Sequence, residues 1–254
     1  MNNFFTFKIY IMNQQSTLEH LQELKLTGMA RRYESIIRQP VHQQPESHLM
    51  IASLIEAESD YRIHQRTELY LRLAKLRYSS TPEQINCTPG RGITKEALIA
   101  LSDGGFITRS ENLLITGATG CGKSYVACAM GRNACLLGFK TLYYSMNRFI
   151  EALAAARLDG TYIRWLNMIA KTPLLIIDDF GLQPLSHDMR LSLLQILEDR
   201  FAKGSTIITS QLPVNKWYEY IAEPTLADAI CDRLTANAHK IELKGESLRK
   251  KKNA

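Results

Sequence analysis

Two kinds of apolar spacing divide this chain. Up to about residue 80 the apolar positions recur three and four apart: Leu18, Leu21 and Leu24, then Met29, Tyr33, Ile36 and Ile37, then Leu49, Leu54, Ile55, Leu69, Leu73 and Leu76. That period predicts amphipathic helices. Ser16-Thr-Leu-Glu19 reads as the capping box that opens the first, Gly28 as its interruption, and Pro40 as the stop of the second. Glu46 to Tyr78 contains no Gly or Pro and holds one or two more helices.

Beyond residue 95 the pattern changes to short apolar runs at Asn112–Thr116, Thr141–Ser145, Leu174–Asp178, Ser205–Ser210 and Lys240–Leu243, each separated by helical stretches. Five strands alternating with helices predict a parallel sheet covered on both faces, an α/β domain. Turn residues gather between the two patterns at Thr81-Pro82, Pro89-Gly90-Arg91-Gly92 and Asp103-Gly104-Gly105. The expected division is a helical N-terminal domain over residues 12–95 and an α/β domain over 96–254, the latter ending in a basic tail.

Composition narrows the class. The 254 residues are 45% hydrophobic and 22% charged, which excludes collagen-like and wholly disordered chains. No apolar stretch approaches the ~20 residues that span a bilayer. Phe4 to Ile11 lacks the basic leader and small-residue cleavage site of an export signal, so residues 1–11 read as a tail or a misplaced start. The cysteines 87, 121, 128, 135 and 231 are odd in number, without a Cys-x-x-Cys pair or a nearby His at ligand spacing. Neither zinc nor a disulfide framework is expected, and a reducing cytoplasm fits. Cys128 and Cys135 read as small buried hydrophobes.

The net charge is +6, and residues 239–254 carry +4 of it. A second basic row, Arg62, Arg66, Arg72, Lys75 and Arg77, is interleaved with Tyr61, Tyr70 and Tyr78. Such residues suit a phosphate backbone and stacked bases, although Glu58 and Glu68 stand four residues before Arg62 and Arg72 and can pair along the helix.

The chemistry begins at Gly117-Ala118-Thr119-Gly120-Cys121-Gly122-Lys123-Ser124, which fits G-x-x-x-x-G-K-[ST] in full, between a buried strand and a helix that takes in Tyr125. The glycines let successive N–H groups turn toward nucleotide phosphates, and the helix N-terminus adds its partial charge. Lys123 is expected to reach the β- and γ-phosphates and Ser124 to give its hydroxyl to Mg2+. Leu174-Leu-Ile-Ile-Asp178-Asp179 ends a buried strand in two carboxylates: Asp178 as Mg2+ ligand, Asp179 as the group that polarises the attacking water. No guanine-reading Asn-Lys-x-Asp follows, so ATP is the expected nucleotide. The spacing leaves room for an extra strand between the phosphate-loop strand and the metal-ligand strand. Thr209, Ser210 and Gln211 compete to sense the γ-phosphate, with Ser210 and Gln211 favoured. Arg233 is positioned to stabilise a transferring phosphoryl group from a neighbouring subunit, or else to pair with Asp228 or Asp232 on the surface. No acceptor pocket or extra lid for a small-molecule kinase is legible.

These motifs, with Leu73-Ala-Lys-Leu-Arg-Tyr78, Asp178-Asp-Phe-Gly181, Thr206-Ile-Ile-Thr-Ser-Gln-Leu212 and the closing Gly245-Glu-Ser-Leu-Arg249, resemble the IstB-like AAA+ ATPases, transposition helpers of two-gene insertion sequences related to the helicase loader DnaC. The resemblance runs over residues 12–250. It implies a AAA+ P-loop fold with five parallel strands and a small helical N-terminal domain; in a departure from general AAA+ proteins, the 11 residues after Leu243 leave little or no room for a C-terminal lid. It implies ATP and Mg2+ as cofactors, hydrolysis to ADP and phosphate, double-stranded DNA bound with little sequence preference, a homo-oligomer, and a separate transposase as partner. Under it Lys123 and Ser124 serve ATP and Mg2+, Asp178 the metal, Asp179 catalysis, the Ser210 region a first sensor, and Arg233 an inter-subunit finger. Asp179 is one methylene shorter than the usual Glu, and Arg249 is the candidate second sensor. A DnaC-like helicase loader is the alternative, disfavoured by the Gly-Glu-Ser-Leu-Arg ending.

Overall fold

The computed structural model describes residues 13–248. The stretch Phe4 to Ile11, Arg249 and the rest of the basic tail lie outside the described residues. Two compact units meet between Glu68 and Leu69. Residues 69–95 therefore belong with the second unit rather than with the helical domain expected over 12–95. Ile93 lies in the sheet's core, and Leu76, Ile85 and Cys87 pack against it, which is why the division falls inside a helix instead of in the turn-rich linker.

The first unit is built from α1 (Gln14–Glu23), α2 (Thr27–Ile37) and α3 (Ser47–Ala74), which crosses into the second. Asn13, not Ser16, caps α1: its side chain accepts from the Ser16 N–H at 2.7 Å and the Ser16 hydroxyl accepts from the Asn13 N–H at 3.0 Å. Gly28 does not interrupt a helix either. It is the second residue of α2, where an added Cβ would lie 2.3 Å from the Ala57 carbonyl oxygen. Glycine lets α2 and α3 touch backbone to backbone. Buried Glu58 of α3 accepts from the N–H groups of Gly28 (2.7 Å) and Met29 (3.2 Å), orphan donors of the first turn of α2, and from Arg62 at 2.7 Å. Burial raises its pKa, but Arg62 and the two N–H groups outweigh it and hold the carboxyl below its usual value.

The second unit continues with α4 (Lys95–Ser102), α5 (Gly105–Thr108), β1 (Asn112–Gly117), α6 (Lys123–Leu136), β2 (Thr141–Ser145), α7 (Met146–Leu158), α8 (Tyr162–Ala170), β3 (Leu174–Phe180), α9 (His187–Arg200), β4 (Ser205–Ser210), α10 (Trp217–Ile221), α11 (Pro224–Thr235) and β5 (Ala238–Leu243). The strands pair in parallel in the order β2-β3-β4-β1-β5. The strand that intervenes between β1 and β3 is thus β4, while Thr141–Ser145, which precedes β3 in sequence, lies at the edge.

Alternation along each strand sends side chains to two faces. Leu113, Ile115, Leu174, Ile176 and Ile207 join α4, α5 and α6. Leu114, Leu175, Ile177 and Ile208 join α7 to α11, including Phe149, Trp217 and Ile230. Cys128 and Cys135 are fully buried, and burial pushes the Cys128 thiol up to about 11, so both behave as small core residues. Among the described residues no helix is long and apolar enough to cross a membrane.

At the end of the sheet where the strands begin, the buried Arg200 has no carboxylate partner among the described residues. Its guanidinium donates to the carbonyls of Ile169 (2.7 Å), Thr172 (2.6 Å) and Ser205 and to the Thr206 hydroxyl (3.3 Å), and burial lowers its pKa to about 10. It ties the end of α8 to the starts of β3 and β4. Arg200→Met fills the space but leaves buried carbonyls without donors, a cost of about 3 kcal/mol for several such groups sharing one site. Urea unfolding followed by the fluorescence of Trp165 and Trp217, both in this unit, is expected to register that loss as a lower midpoint.

Candidate nucleotide-binding site

The phosphate loop leaves the C-terminal end of β1 and returns as α6. Gly117, Gly120 and Gly122 adopt φ of 143°, 82° and 100°, a region that penalises a side chain. A Cβ on Gly120 would also meet the Ser247 hydroxyl at 2.2 Å, because the chain after β5 lies over the loop. There the Leu248 N–H donates to the Gly120 carbonyl at 3.0 Å and the Lys244 N–H to the Arg91 carbonyl at 2.9 Å. Arg91 completes the clamp by donating to the Cys121 carbonyl at 2.8 Å. The Gly-Glu-Ser-Leu ending is therefore a strap on the phosphate loop, and among the described residues no lid helix follows β5.

Lys123 is buried, and its ammonium donates to the carbonyls of Gly117 (2.8 Å) and Ala118 (2.9 Å), folded back on its own loop. Ser124 donates to Asp178 Oδ1 at 2.8 Å, although β3 is not the immediate neighbour of β1. The Asp178 carboxyl is fully buried. Oδ1 also receives the Thr209 hydroxyl of β4, and Oδ2 the Tyr143 hydroxyl of β2 at 2.6 Å. Burial foremost, then the bond to Asp178, drives the Tyr143 pKa far up, so this phenol keeps its proton as a donor.

Asp179 points elsewhere. The β3–β4 register shifts between Ile177 and Phe180, and Asp179 takes φ of 63° with its N–H on the Thr209 hydroxyl at 2.9 Å. Such a bulge re-aims a side chain, and the left-handed conformation suits Asp better than longer residues. The result is two consecutive carboxylates with different work: Asp178 sealed in, Asp179 a quarter exposed on the cavity wall.

The γ-phosphate candidates separate by strand alternation. Thr209 donates to the Asp178 carboxylate and accepts from the Asp179 backbone N–H. Gln211 reaches the loop through Thr119 at 2.7 Å. Ser210, favoured along with Gln211, faces away: its hydroxyl donates to the Phe180 carbonyl at 2.6 Å and accepts from the Leu212 N–H at 3.0 Å. That is a loop-holding role. Alternate residues share a face, so a strict period-2 reading of β4 groups Thr209 with Gln211 and excludes Ser210.

A cavity of about 660 Å3 opens beside the loop. Its walls include Lys123, Ser124, Tyr125, Asp179, Gln211 and Leu248, together with Arg77, Tyr78, Gln84, Ile85 and Asn86 from the segment after α3. Tyr125 donates to Gln84 at 2.9 Å, and its ring lies 6.1 Å from that of Tyr78. Arg77 and Tyr78, read from sequence as the end of a DNA-facing row, instead belong to this cavity, with Arg77 3.6 Å from Asp179 and 3.9 Å from Asp178. They lie three and four residues beyond the last residue of α3, after the αL residue Lys75. Tyr143 was missed because a tyrosine in an edge strand looks like packing.

Arg233 is remote from all of this. It pairs with Glu198 at 2.8 Å rather than with Asp228 or Asp232, and donates to the Ala229 carbonyl at 3.1 Å. Its own carbonyl accepts from Asn112 at the start of β1. The phosphate loop leaves the other end of that strand, roughly 17 Å away at ~3.3 Å per residue.

Fold and site define a AAA+ P-loop nucleotide-binding protein. The chain belongs to the IstB-like ATP binding proteins, whose family profile matches residues 19–254. It is 43% identical over 234 residues to the insertion-sequence ATP-binding protein y4pL of Sinorhizobium fredii, spanning 92% of this chain and 96% of that one. Over 231 residues it is 29% identical to the ATP-binding protein of insertion sequence IS21 of Pseudomonas aeruginosa, with 91% and 87% covered. The DnaC helicase loader is similar in fold, with a TM-score of 0.56 at 18% identity over 67% of this chain and 100% of that one. The DnaI structure matches equally, at 0.56 and 20% over 65% and 92%.

Lys123→Ala removes the ammonium from phosphate reach and leaves two loop carbonyls without their donor. A fluorescent-ATP titration is expected to show affinity reduced at least ~10-fold, the scale of one charged hydrogen bond. Melting without nucleotide is expected to fall slightly, since the side chain is part of the loop's own bonding.

Proposed function

We propose that this protein is the ATP-hydrolysing helper of an insertion sequence, which assembles with ATP on target double-stranded DNA, deforms it, and recruits and stimulates a partner transposase, hydrolysis resetting the assembly. The observation that carries the ATPase part is the arrangement behind the phosphate loop, where Ser124 and Thr209 meet on sealed Asp178 while the bulge turns Asp179 into the cavity. Relatives named for insertion sequences favour transposition over helicase loading, for which the support is fold likeness alone.

In this reading the phosphate-loop N–H groups and Lys123 hold the phosphates, and Ser124 and Asp178 hold Mg2+. When bound, that ion offsets charge on the β- and γ-phosphate oxygens. Asp179 orients the water for in-line attack and Thr209 fixes both acids. Gln211, the residue after β4, replaces Ser210 as the side chain that can reach the nucleotide. Tyr78 and Tyr125 offer aromatic faces to the base. The cytoplasm is the compartment such a role requires.

Asp179→Asn keeps size and the αL preference but loses the charge that orients water. It is expected to bind ATP with near-parental affinity and to lose at least ~100-fold in DNA-stimulated phosphate release. Failure to bind ATP would give Asp179 a ligand's role instead.

The distance of Arg233 from its own loop supports action across an interface, where a guanidinium makes hydrolysis depend on assembly. Arg233→Ala and Lys123→Ala are each expected to be inactive in phosphate release, and equal mixtures to recover part of the rate because some interfaces join an intact finger to an intact loop. No recovery in confirmed mixed assemblies would count against the finger in trans.

A further inference from the structure

We propose that Arg77 is a γ-phosphate-reading residue supplied in cis, which sits on the two acids when no γ-phosphate is present and moves to the phosphate when ATP binds. This deepens the nucleotide-binding reading above and rests on it. Arg77 comes from the segment after α3, outside the phosphate loop, the two strand-end acids, Thr209 and Gln211, and the Arg233 helix.

Its guanidinium Nη1 stands 3.6 Å from Asp179 Oδ2 and 3.9 Å from Asp178 Oδ2, and Arg77 shares the cavity wall with Lys123 and Ser124. Asp178 Oδ1 is already held by Ser124 and Thr209, so the guanidinium approaches from the Oδ2 side that Tyr143 also touches. A cation at these distances neutralises the same charges that a divalent ion bound by Ser124 and Asp178 would need. Both cannot stay together without added negative charge, because like charges repel most strongly in a partly buried site. ATP supplies that charge. The Ser124–Asp178 pair marks the metal edge of the phosphates and Asp179 marks the face that water attacks, so a group bridging the two acids borders the γ-phosphate and not the α. ADP has nothing there, and Arg77 then keeps its carboxylates.

The side chain can make this move. It is 45% exposed; besides the two acids it meets the Tyr143 hydroxyl, and its guanidinium stands 5.5 Å from the ring centroid of Tyr78, the next residue on the same segment. A planar guanidinium can grip phosphate oxygens in pairs as it does carboxylates, which an ammonium cannot.

The test compares equilibrium affinities of the full chain for ATP, ADP and Mg2+-free ATP by displacement of a fluorescent nucleotide, without reading hydrolysis. Arg77→Ala is expected to weaken Mg-ATP roughly 10-fold or more, the size of a lost charge-assisted bond, while ADP affinity stays parental. The Mg2+ concentration that half-saturates the ADP complex is expected to fall, since no guanidinium then has to leave Asp178. Arg77→Lys is expected to regain part of the ATP preference and guards against a folding defect in the alanine variant. An unchanged ATP-to-ADP affinity ratio in both variants would overturn the proposal and leave Arg77 as a counter-ion. Equal weakening of ATP and ADP would also overturn it. A parental chain that binds neither nucleotide would instead defeat the underlying site assignment.

Discussion

A carboxyl group sealed inside the sheet is the constraint from which the rest of this site follows. Asp178 is fully buried, and a buried carboxyl is costly unless each oxygen is hydrogen-bonded. The donors arrive from three different elements: Ser124 from the first turn of α6, Thr209 from β4 and Tyr143 from β2. One side chain therefore fixes the positions of the phosphate loop, the sheet edge and the intervening strand relative to one another. The same bonds keep Asp178 aimed at the loop in the absence of nucleotide.

The next residue shows how the backbone divides labour between neighbours of identical chemistry. Regular β structure would send Asp178 and Asp179 to opposite faces of the sheet. The register shift after Ile177 and the positive φ of Asp179 replace that geometry with one in which the second acid enters the cavity. Thr209 serves both, donating to the first carboxylate and accepting from the backbone of the second. Asp tolerates the αL conformation, which gives a physical reason for a short acid at this position.

Around the loop, three stretches far apart in sequence hold one another. Arg91 from the linker reaches Cys121, the strap after β5 reaches Gly120 and Arg91, and the segment after α3 brings Arg77 and Tyr78 to the same cavity. This is why residues 69–95 fold with the sheet and not with the helices before them. Arg200 holds the other end of the sheet, where Arg233 is engaged with Glu198.

What the chain determined by itself is whatever depends on local period and local chemistry. The two apolar spacings marked the helices and all five strands, and the eight phosphate-loop residues carry their function in their order, because backbone N–H groups and glycine torsions are local properties. The adjacent acids at the end of a buried run were equally legible. Tertiary structure decided which residues meet across the sheet. Strand order is set by packing, so β4, distant in sequence, intervenes between β1 and β3, and Thr209 rather than Ser210 meets Asp178. The Ala57 carbonyl replaced a helix interruption as the explanation of Gly28, since the close approach of α2 and α3 leaves no trace in the periodicity of either. Arg77 read as part of a solvated basic row because spacing along a helix ends where the helix ends; beyond Ala74 the direction of the chain is fixed by contacts tens of residues away.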